Sequence, residues 1–492
     1  MERKLVYALA AFVIVIIIVS AFAYVENRPT DKRSFYLGVT YCGQSTVEAY
    51  QLVDRVKNFT NLFVIQSGPL QNNISALQDI GDYAVASGLD LIVYMGNYHY
   101  QQDTLSAFLN ATSDRWGCHF LGVYFGDESG GKMLDAQVSL TNPATGSTVQ
   151  KDLDAVRMRK PNSTNVDIAY FYSGNIVIET TLLYNRAPSI HDPHSTTTTY
   201  YPNGTVTLVD NYLFKSPTNL NNVLIYQQDG MTTLLKSDGS TSTVTDRGDI
   251  SQFETYQQLW DARPIQTYDD AAELYIKDLV DITMWLRNQT AVKILTADYG
   301  LYWFDYKGGY DTVLAQIGPS ENKIKEIALL RGAATMHGKD WGTILTWTSA
   351  ESPTLLSGEE MFSDLKMAYE QGAKYAVVFN YAPQSDGVGL LQEEHFAAVE
   401  KFWHDVVKNP KITNGVESDV ALVLPANYGW GMRHENDTVW GIWRPDDKAP
   451  QVWNALQYAL ADKSRLIDIV YDDNAYQLDS KYSRLLFWNQ TS

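Results

Sequence analysis

Two adjacent carboxylates stand out in this 492-residue chain as groups that could do chemistry. Asp127 and Glu128 follow the short apolar run HFLGVYFG, and glycines flank them. Neighbouring carboxyl groups can act as proton donor and charged partner, because each changes the proton affinity of the other. The pair therefore predicts general acid–base chemistry, with a solvated turn as the alternative.

Side-chain alternation along this run predicts which of the two carboxylates faces inward. In a strand, residues two positions apart share a face. Tyr124, Gly126 and Glu128 have the parity expected to face inward, whereas Phe125 and Asp127 have the other. We therefore expect Glu128 to be the acid beside a substrate. Asp127 is expected to point outward or into the loop, as a neighbour whose charge acts on Glu128.

Further acids and aromatic residues follow other apolar runs. Asp298 ends the run VKILTAD and is a candidate carboxylate, and Tyr302, Trp303 and Asp305 follow it closely. Aromatic faces stack on sugar rings and carboxylates accept hydroxyl hydrogen bonds, so this mixture predicts a polyol subsite. A buried aromatic core is the alternative. Other candidate contacts at the ends of apolar runs are Tyr41, Gln66, Trp347, Asn380 and Tyr381, and Glu351 follows Trp347 as a further carboxylate.

Eight apolar runs alternate with amphipathic stretches of helical period, which is typical of βα units and a parallel sheet. The predicted strands begin at Phe35, Leu62, Leu89, His119, Val292, Thr312, Gly342 and Lys374. Eight such units predict an α/β fold, a closed (β/α)8 TIM barrel. In that architecture reactive groups lie at the carboxyl ends of the strands, where all the candidates above are found.

The predicted barrel occupies residues 34–408 and contains an insertion, 132–253, after strand four. Without the insertion its length is close to the roughly 250 residues typical of such barrels. The insertion is rich in Thr, Asn, Ser and Gly and contains hairpin-like pieces with Asn-Gly and Asp-Gly turns, so we expect it to be β-rich. Residues 409–492 predict a small C-terminal α/β domain that serves packing or oligomer formation rather than ligand binding.

The residues after strands four and seven resemble those of the (β/α)8 glycoside hydrolases, especially the retaining clan with one catalytic Glu after each of these strands. The resemblance implies that Glu128 is the general acid/base and Glu351 the nucleophile, with Asp298 as its rival. Asp127 stands where the clan usually has Asn, and Glu351 lies later than the clan's strand-terminal position. Retention requires carboxyl groups about 5–5.5 Å apart and inversion about 6.5–9.5 Å, and the sequence leaves both open.

The segment Leu5 to Tyr24 carries no charge and has the roughly 20 residues needed to cross a bilayer. Because Arg3 and Lys4 precede it, residues 1–33 predict a cytoplasmic tip, a transmembrane helix as signal-anchor and a linker, with the body extracellular. A signal peptide cleaved after the small residues Ala21 and Ala23 is the alternative. N-glycosylation sequons agree with export and begin at Asn58, Asn73, Asn110, Asn162, Asn203, Asn288, Asn436 and Asn489.

Composition and motifs exclude other classes of function. The net charge of −19 without a basic stripe argues against a nucleic-acid partner. The sequence has no G-x-S-x-G, H-E-x-x-H, P-loop or G-x-G-x-x-G motif, and we expect no cofactor. His191 and His194 lack acidic or Cys partners at ligand spacing, so no metal site is predicted. Cys42 and Cys118 are expected to be unpaired thiols, and His395 a residue on a helix surface.

Two functions from different classes fit these observations. One is a membrane-anchored extracytoplasmic glycoside hydrolase-like protein that cleaves glycans by carboxylate chemistry. The other is a non-catalytic cell-surface protein that binds glycans or builds an envelope layer on the same barrel. In both cases carbohydrate is the expected partner, together with the lipid bilayer through residues 5–24. An enzyme requires Glu128 and a second carboxylate at one concave opening, whereas a scaffold does not.

The anchor prediction can be checked by cell fractionation. The full chain is expected to sediment with membranes and to need detergent for release, because its apolar segment is long enough to span the bilayer. A chain that begins at Ser34 should remain in the soluble fraction. If expression of the full chain instead yields a soluble protein whose N-terminus follows Ala23, the cleaved signal peptide is favoured.

Overall fold

A computed structural model describes residues 33–490 of the chain. The description excludes 97–101, 113, 136, 142–147, 155–165, 174–175, 184–193, 213–222, 227–231, 236–239, 245–254, 262–264, 320–321, 347–355, 382–389, 410, 413–416 and 462–465. Within the described residues, no helix is both long and apolar enough to cross a membrane. The predicted anchor, residues 5–24, lies outside the described residues.

Eight parallel strands form a closed barrel: β1 (Tyr36–Tyr41), β2 (Leu62–Ile65), β3 (Asp90–Tyr94), β4 (Phe120–Tyr124), β14 (Lys293–Asp298), β15 (Thr312–Ile317), β16 (Asp340–Leu345) and β17 (Tyr375–Val378). Around the ring they follow the order β1, β17, β16, β15, β14, β4, β3, β2. Parallel pairing of β1 with β17 completes the ring and sets Tyr36 opposite Tyr375. The (β/α)8 prediction and all eight predicted strands are confirmed.

The helices follow the strands as the sequence pattern predicts. Ser357 caps one of them in a capping box with Glu360, so the acidic pair Glu359–Glu360 lies in a first turn, where it complements the helix dipole. The helices are α1 (Thr46–Val56), α2 (Ile74–Ala86), α3 (Gln102–Thr112), α4 (Ser129–Leu134), α5 (Tyr256–Asp261), α6 (Tyr268–Gln289), α7 (Tyr302–Lys307), α8 (Lys323–His337), α9 (Gly358–Glu370), α10 (Glu393–Phe402) and α11 (Ala449–Ala461).

Apolar side chains fill the interior of the barrel. One buried cluster takes members from every strand, including Val64, Ile92, Leu295 and Leu314. The rings of Tyr36 and Tyr375 stack across the closing pair with centroids 5.0 Å apart. The interior is therefore a packed core rather than a channel, as in other barrels of this type. In enzymes of this architecture the active site lies at the carboxyl ends of the strands, which we call the barrel mouth.

A second sheet packs beside helix α8. It contains three parallel strands in the order β19, β18, β20, with bounds β18 (Val420–Leu424), β19 (Asp468–Tyr471) and β20 (Arg484–Phe487). Arg331 of α8 forms a buried ion pair with Asp468 at 2.6 Å. The next residue, Gly332, lies so close to the carbonyl oxygen of Ile469 that a Cβ atom would collide with it. Close packing of backbone on backbone therefore joins this sheet to the barrel helix.

The insertion after β4 contains the strands β5 (Gln137–Thr141), β6 (Thr148–Asp154), β7 (Val166–Ser173), β8 (Ile176–Leu183), β9 (His194–Tyr200), β10 (Val206–Tyr212), β11 (Val223–Tyr226), β12 (Thr232–Leu235) and β13 (Thr241–Val244). They form a nine-stranded sheet in the order β13 through β5, with antiparallel neighbours. The predicted insertion is therefore rich in β-structure.

The chain divides into two compact units. One contains the described residues of Met1–Gly130, Tyr275–Leu424 and Ala455–Ser492, and the other those of Gly131–Leu274 and Pro425–Asn454. The boundaries of these units differ from those of the predicted domains, which were residues 34–408 and 409–492. In the second unit, Asp446 accepts hydrogen bonds from Tyr268 and Tyr428, and Arg433 pairs with Asp437 at 2.8 Å.

Two smaller predictions have different outcomes. Cys42 and Cys118 are both free thiols, as predicted. The prediction that His395 lies on a helix surface is wrong, because its side chain is only 2% exposed. Its Nδ1 accepts the backbone N–H of Gln392 and its Nε2 lies 2.7 Å from the Leu356 carbonyl oxygen. The imidazole therefore joins the start of α10 to the segment before α9.

The buried pair of Arg331 and Asp468 is expected to contribute strongly to stability. Replacing either residue by Ala should lower the free energy of unfolding by about 3–5 kcal/mol, because the remaining charge stays buried without its partner. The double variant should lose less than the sum of the two single changes. Urea denaturation measures these values. As a control, Arg115→Ala removes an exposed ion pair with Asp82 and should change stability much less. Equal losses of unfolding free energy in the buried-pair variants and in Arg115→Ala would contradict the predicted contribution of the buried pair.

Candidate active site at the barrel mouth

The turn after β4 presents the two candidate carboxylates in an unusual backbone conformation. Gly126 has a φ of 74° and Glu128 a φ of 60°, both in the left-handed region. A side chain at Gly126 would collide with the hydroxyl of Tyr310, so this position requires glycine. The Glu128 backbone N–H donates to the carbonyl oxygen of Ala297 at 2.8 Å. A neighbouring strand thus holds a conformation that costs free energy at a non-glycine residue.

The Glu128 carboxylate is held by a side chain of β15. Gln316 donates from Nε2 to Oε1 of Glu128 at 2.8 Å, and both residues are half-buried. Gln316 has the same parity as Leu314, a member of the buried barrel core. The amide therefore lies over the barrel interior and positions Glu128 there. This placement agrees with the predicted inward orientation of Glu128.

Asp127 also lies at the mouth. The hydroxyl of Tyr124, itself part of the barrel core, donates to the Asp127 carboxylate. Of the two predicted orientations of Asp127, outward or into the loop, the outward one is therefore wrong. Strand alternation does not apply beyond Tyr124, because the left-handed residues Gly126 and Glu128 replace extended backbone with a turn. Both carboxylates consequently occupy the same end of the barrel.

Two neutral side chains, those of Tyr94 and Cys42, lie near this carboxylate pair. The ring of Tyr94 packs edge-on against Tyr124 with centroids 5.0 Å apart. Burial raises the pKa of Tyr94, and the charges of Asp127 and Glu128 raise it further. Burial also raises the pKa of the Cys42 thiol to about 12; a hydrogen bond with Thr40 opposes this shift and the charge of Asp127 adds to it. Tyr94 and Cys42 are therefore uncharged at neutral pH.

Gln66 follows β2 on the parity of Leu62 and Val64, which belong to the barrel core. Its amide oxygen is buried and has no hydrogen-bond partner among the described residues. A buried acceptor without a donor is costly, so such an atom is suited to a ligand hydroxyl or ammonium group. The predicted role of Gln66 as a ligand contact is compatible with this position.

Asp298 is fully buried and holds the turn in place. Its carboxylate accepts the backbone N–H of Gly130 at 2.5 Å and that of Tyr299 at 2.7 Å. Because its exposed fraction is 0%, it presents no surface to a substrate. The prediction that Asp298 is a catalytic carboxylate is therefore wrong. It acts as a positioning residue, since it anchors the backbone two residues after Glu128.

The predicted polyol subsite is a buried core in this structure. Tyr302, Trp303 and Asp305 are each at most 2% exposed. Tyr302 donates to Glu326 at 2.8 Å, and Asp305 accepts from Tyr275 at 2.6 Å. Trp303 packs against other aromatic rings, those of His337, Tyr471 and Tyr476. These residues therefore form the buried aromatic core that was the alternative prediction. They are not accessible to a sugar.

Three other predicted contacts come together at a cavity of about 350 Å³ near the ends of β1 and β17. Tyr41, Asn380 and Tyr381 line it, together with Gly43, Glu48, Gln51, Leu52, Arg55, Leu390, Leu391 and Phe396. The Tyr41 ring stacks on Phe63, which has the outward parity of β2, so Tyr41 faces the helices rather than the barrel interior. Tyr381 is 41% exposed and offers an aromatic face.

Sequence reasoning missed two side chains that touch the carboxylate pair or its partners. Gln316 is the one strongly polar residue of the run TVLAQIG. It lies near the strand end, and counting alternate positions along the strand could have shown that it faces the barrel interior. Tyr94 ends β3 in the same way. Trp347 and Glu351, the predicted contact and carboxylate after β16, lie outside the described residues.

No group of three or more His, Cys, Asp or Glu side chains in the described part of the chain could hold a metal ion. His191 lies outside that part. The described groups at the mouth are a pair of carboxylates beside amides and phenols. Such groups can transfer protons and bind hydroxyls.

Comparisons with known proteins add a structural likeness. No family model and no curated protein matches the chain. One similar solved structure is a variant of GH5_18 from Streptomyces cattleya in complex with Manb1-4GlcNAc, with a TM-score of 0.44, 10% identity and coverage of 92% of this chain and 99% of the other. Another, a GH5_18 variant from Bifidobacterium longum in complex with the same ligand, has a TM-score of 0.44, 10% identity and coverage of 93% and 96%. At this level the likeness assigns neither a family nor an activity.

The buried acid Asp305 predicts a pH-dependent stability. Burial, and then the charge of Asp298, raise the pKa of Asp305 well above its ordinary value, against the hydrogen bond from Tyr275. The folded state thus binds this proton more tightly than the unfolded state, so the contribution of Asp305 to stability falls as pH rises above about 4. Asp305→Asn should raise the free energy of unfolding at pH 8 by at least about 1 kcal/mol and flatten this decline.

Chemical denaturation at a series of pH values between 4 and 8 measures this effect. The exposed Asp479→Asn variant is a matched control and should follow the wild-type profile. An Asp305→Asn protein that is less stable than wild type at pH 8 would show that the carboxylate is needed in its charged form.

Proposed function

We propose that this protein is a glycoside hydrolase-like enzyme in which Glu128 is the general acid/base. The observation that carries the proposal is the Glu128 carboxylate, which lies over the barrel core in a left-handed turn and accepts a hydrogen bond from Gln316 at 2.8 Å. Strained backbone of this kind persists only where surrounding contacts hold it, and it is common at active sites. In (β/α)8 barrels the active site lies at this end of the strands.

The chemistry requires a proton donor and a second carboxylate. Glu128 in its acid form transfers its proton to the glycosidic oxygen, which keeps the electron pair of its bond to the anomeric carbon as that bond breaks. The second carboxylate either adds to the anomeric carbon or removes a proton from the water that does so. Glu351 remains the predicted candidate for this role, and Asp127 is the described carboxylate adjacent to Glu128.

A glycan-binding protein without turnover is the second candidate. The cavity lined by Tyr41, Asn380 and Tyr381 favours it, because it combines an exposed aromatic face with amide and charged side chains. Such a surface can bind a sugar ring by stacking and hydrogen bonding without any reacting group. Turnover therefore decides between the two candidates.

We also propose that the body of the protein is exported. The seven sequon asparagines within the described residues are all exposed and thus open to glycan attachment: Asn58, Asn73, Asn110, Asn203, Asn288, Asn436 and Asn489. This distribution supports an extracytoplasmic location, in agreement with the apolar N-terminal segment. Mass spectrometry of the protein from its native membranes would test glycan attachment at these sites.

Replacement of Glu128 tests the enzymatic proposal. Glu128→Gln should lower kcat about 10²–10⁴-fold on substrates with poor leaving groups, because the proton donor is lost. The loss should be smaller with 4-nitrophenyl glycosides, whose leaving group needs little protonation. Screening the chain from Ser34 onward against aryl glycosides and polysaccharides provides the substrates.

The control is Glu400→Gln, which changes the same charge at an exposed position near the end of α10 and should leave kcat unchanged. Equal activity of Glu128→Gln and wild type on every cleaved substrate would remove Glu128 from the acid role. Glycan binding without any turnover would support the binding protein instead.

A further inference from the structure

Gln66 continues strand β2 by one residue into the barrel mouth. Its backbone N–H donates to the Tyr41 carbonyl oxygen at 2.8 Å, which extends the pairing of β1 with β2. Strand alternation therefore still holds at this position. The Gln66 side chain has the parity of Leu62 and Val64, two members of the barrel core, and thus faces the interior of the barrel.

The backbone that follows Gln66 is fixed as well. Ser67 is only 1% exposed, and its hydroxyl donates to the carbonyl oxygen of Gly43 at 2.6 Å. The same hydroxyl accepts the backbone N–H of Leu70 at 3.1 Å. These bonds join the segment after β2 to the segment after β1. Gln66 is thus held on fixed backbone, while its side-chain torsions remain adjustable.

The inward-facing neighbours of Gln66 do not donate to its amide oxygen. By the strand register they are Cys42 on one side and Tyr94 on the other. The Cys42 sulfur lies 3.6 Å from the hydroxyl oxygen of Thr40, and the Tyr94 ring packs against Tyr124. Within the described part of the chain, the Gln66 oxygen is buried without a hydrogen-bond partner. A buried acceptor in this condition costs the folded protein free energy.

Gln66 and Gln316 lie on opposite sides of the barrel. Strands β2 and β15 are four strands apart in either direction around the ring. Eight tilted strands at their usual spacing form a ring about 15 Å across between backbones, so the two amides do not contact each other. Because Gln316 holds Glu128 on its own side of the opening, a sugar that receives a proton from Glu128 has its far edge toward Gln66.

We propose that Gln66 is a specificity-determining residue whose amide oxygen accepts a hydrogen bond from one hydroxyl or N–H group of the bound sugar. This inference rests on the proposed function and adds a required substrate group to it. The Gln66 side chain is half-buried and the terminal torsion of Gln is broad, so rotation of the amide brings its oxygen to a ligand in the mouth. A sugar that lacks the donor leaves the acceptor unpaired and is therefore rejected.

The stability of the protein alone tests whether the oxygen is unpaired. Gln66→Met removes the acceptor at a similar side-chain volume, so the midpoint of urea denaturation should equal or exceed that of wild type. Gln371→Met is the matched control. The Gln371 oxygen accepts from Nη1 of Arg331 at 2.7 Å, so the same change there should lower the midpoint. Equal lowering of the midpoint by both changes would show that the Gln66 oxygen is paired within the protein, and would overturn the inference.

Substrate analogues test the specificity. Each aryl glycoside that the protein cleaves is compared with its monodeoxy derivatives, one hydroxyl at a time. We expect wild type to lose about 10–100-fold in kcat/KM when one particular hydroxyl is removed. In Gln66→Met the parent and this derivative should become nearly equal. Gln66→Glu keeps an acceptor of the same shape and should retain the preference, as should Gln371→Met.

The ratio of kcat/KM for parent and derivative is compared between variants, which cancels the intrinsic reactivity of the two substrates. Calorimetric binding supplies the same ratio where turnover is slow.

The outcomes separate this inference from the proposed function. Cleavage in which Gln66→Met keeps every wild-type preference would overturn the role of Gln66 and leave the glycosidase proposal intact. A wild-type protein that tolerates the removal of each hydroxyl in turn would overturn it as well. A folded protein that binds and cleaves no glycan would overturn both proposals together.

Discussion

The site depends on a hydrogen bond between the turn after β4 and strand β14, which are far apart in the sequence. The backbone N–H of Glu128 donates to the carbonyl of Ala297 in β14, and the carboxylate of Asp298, the next residue, accepts the N–H of Gly130. The turn that carries Glu128 is thus fixed at two points by a strand that follows the whole insertion. Pairing of β4 with β14 in the closed barrel is the condition for both contacts.

Burial separates acids of similar sequence context into different roles. Asp298 ends β14 and Asp305 follows it, yet both are fully buried and bind protein groups. Asp127 and Glu128 follow the β4 run and remain half-buried at the mouth. A carboxylate can act on a substrate only if it is accessible, so the two pairs divide into positioning groups and candidate reacting groups. Burying Asp298 and Asp305 together costs free energy, and burial and the charge of Asp298 accordingly raise the pKa of Asp305.

Aromatic residues divide in the same way. Trp303 packs in a core with His337, Tyr471 and Tyr476, which joins α7 to the segment after β19. Tyr94 and Tyr124 instead lie beside the carboxylates, and Tyr381 is open to solvent. The abundance of aromatic side chains therefore serves packing first. Among the described residues, Tyr94 and Tyr381 lie at the ends of barrel strands with part of the ring exposed.

Periodicity in the sequence was sufficient to predict all eight barrel strands and the β-rich insertion, because alternation and helical period follow from local backbone geometry. Glu128 has the predicted inward orientation, but the left-handed turn and the hydrogen bond from Gln316 determine it rather than strand alternation. Periodicity could not show that Asp127 returns to the mouth, since left-handed residues end the alternation, nor that Asp298 is buried, since burial depends on neighbours distant in the chain. The contact between Gln316 and Glu128 exists only when β15 and β4 share one ring. The sequence by itself determined which residues stand at strand ends. The tertiary structure alone decided which of them face a ligand, because closing the barrel brings distant strands together and leaves room at its mouth for only some side chains.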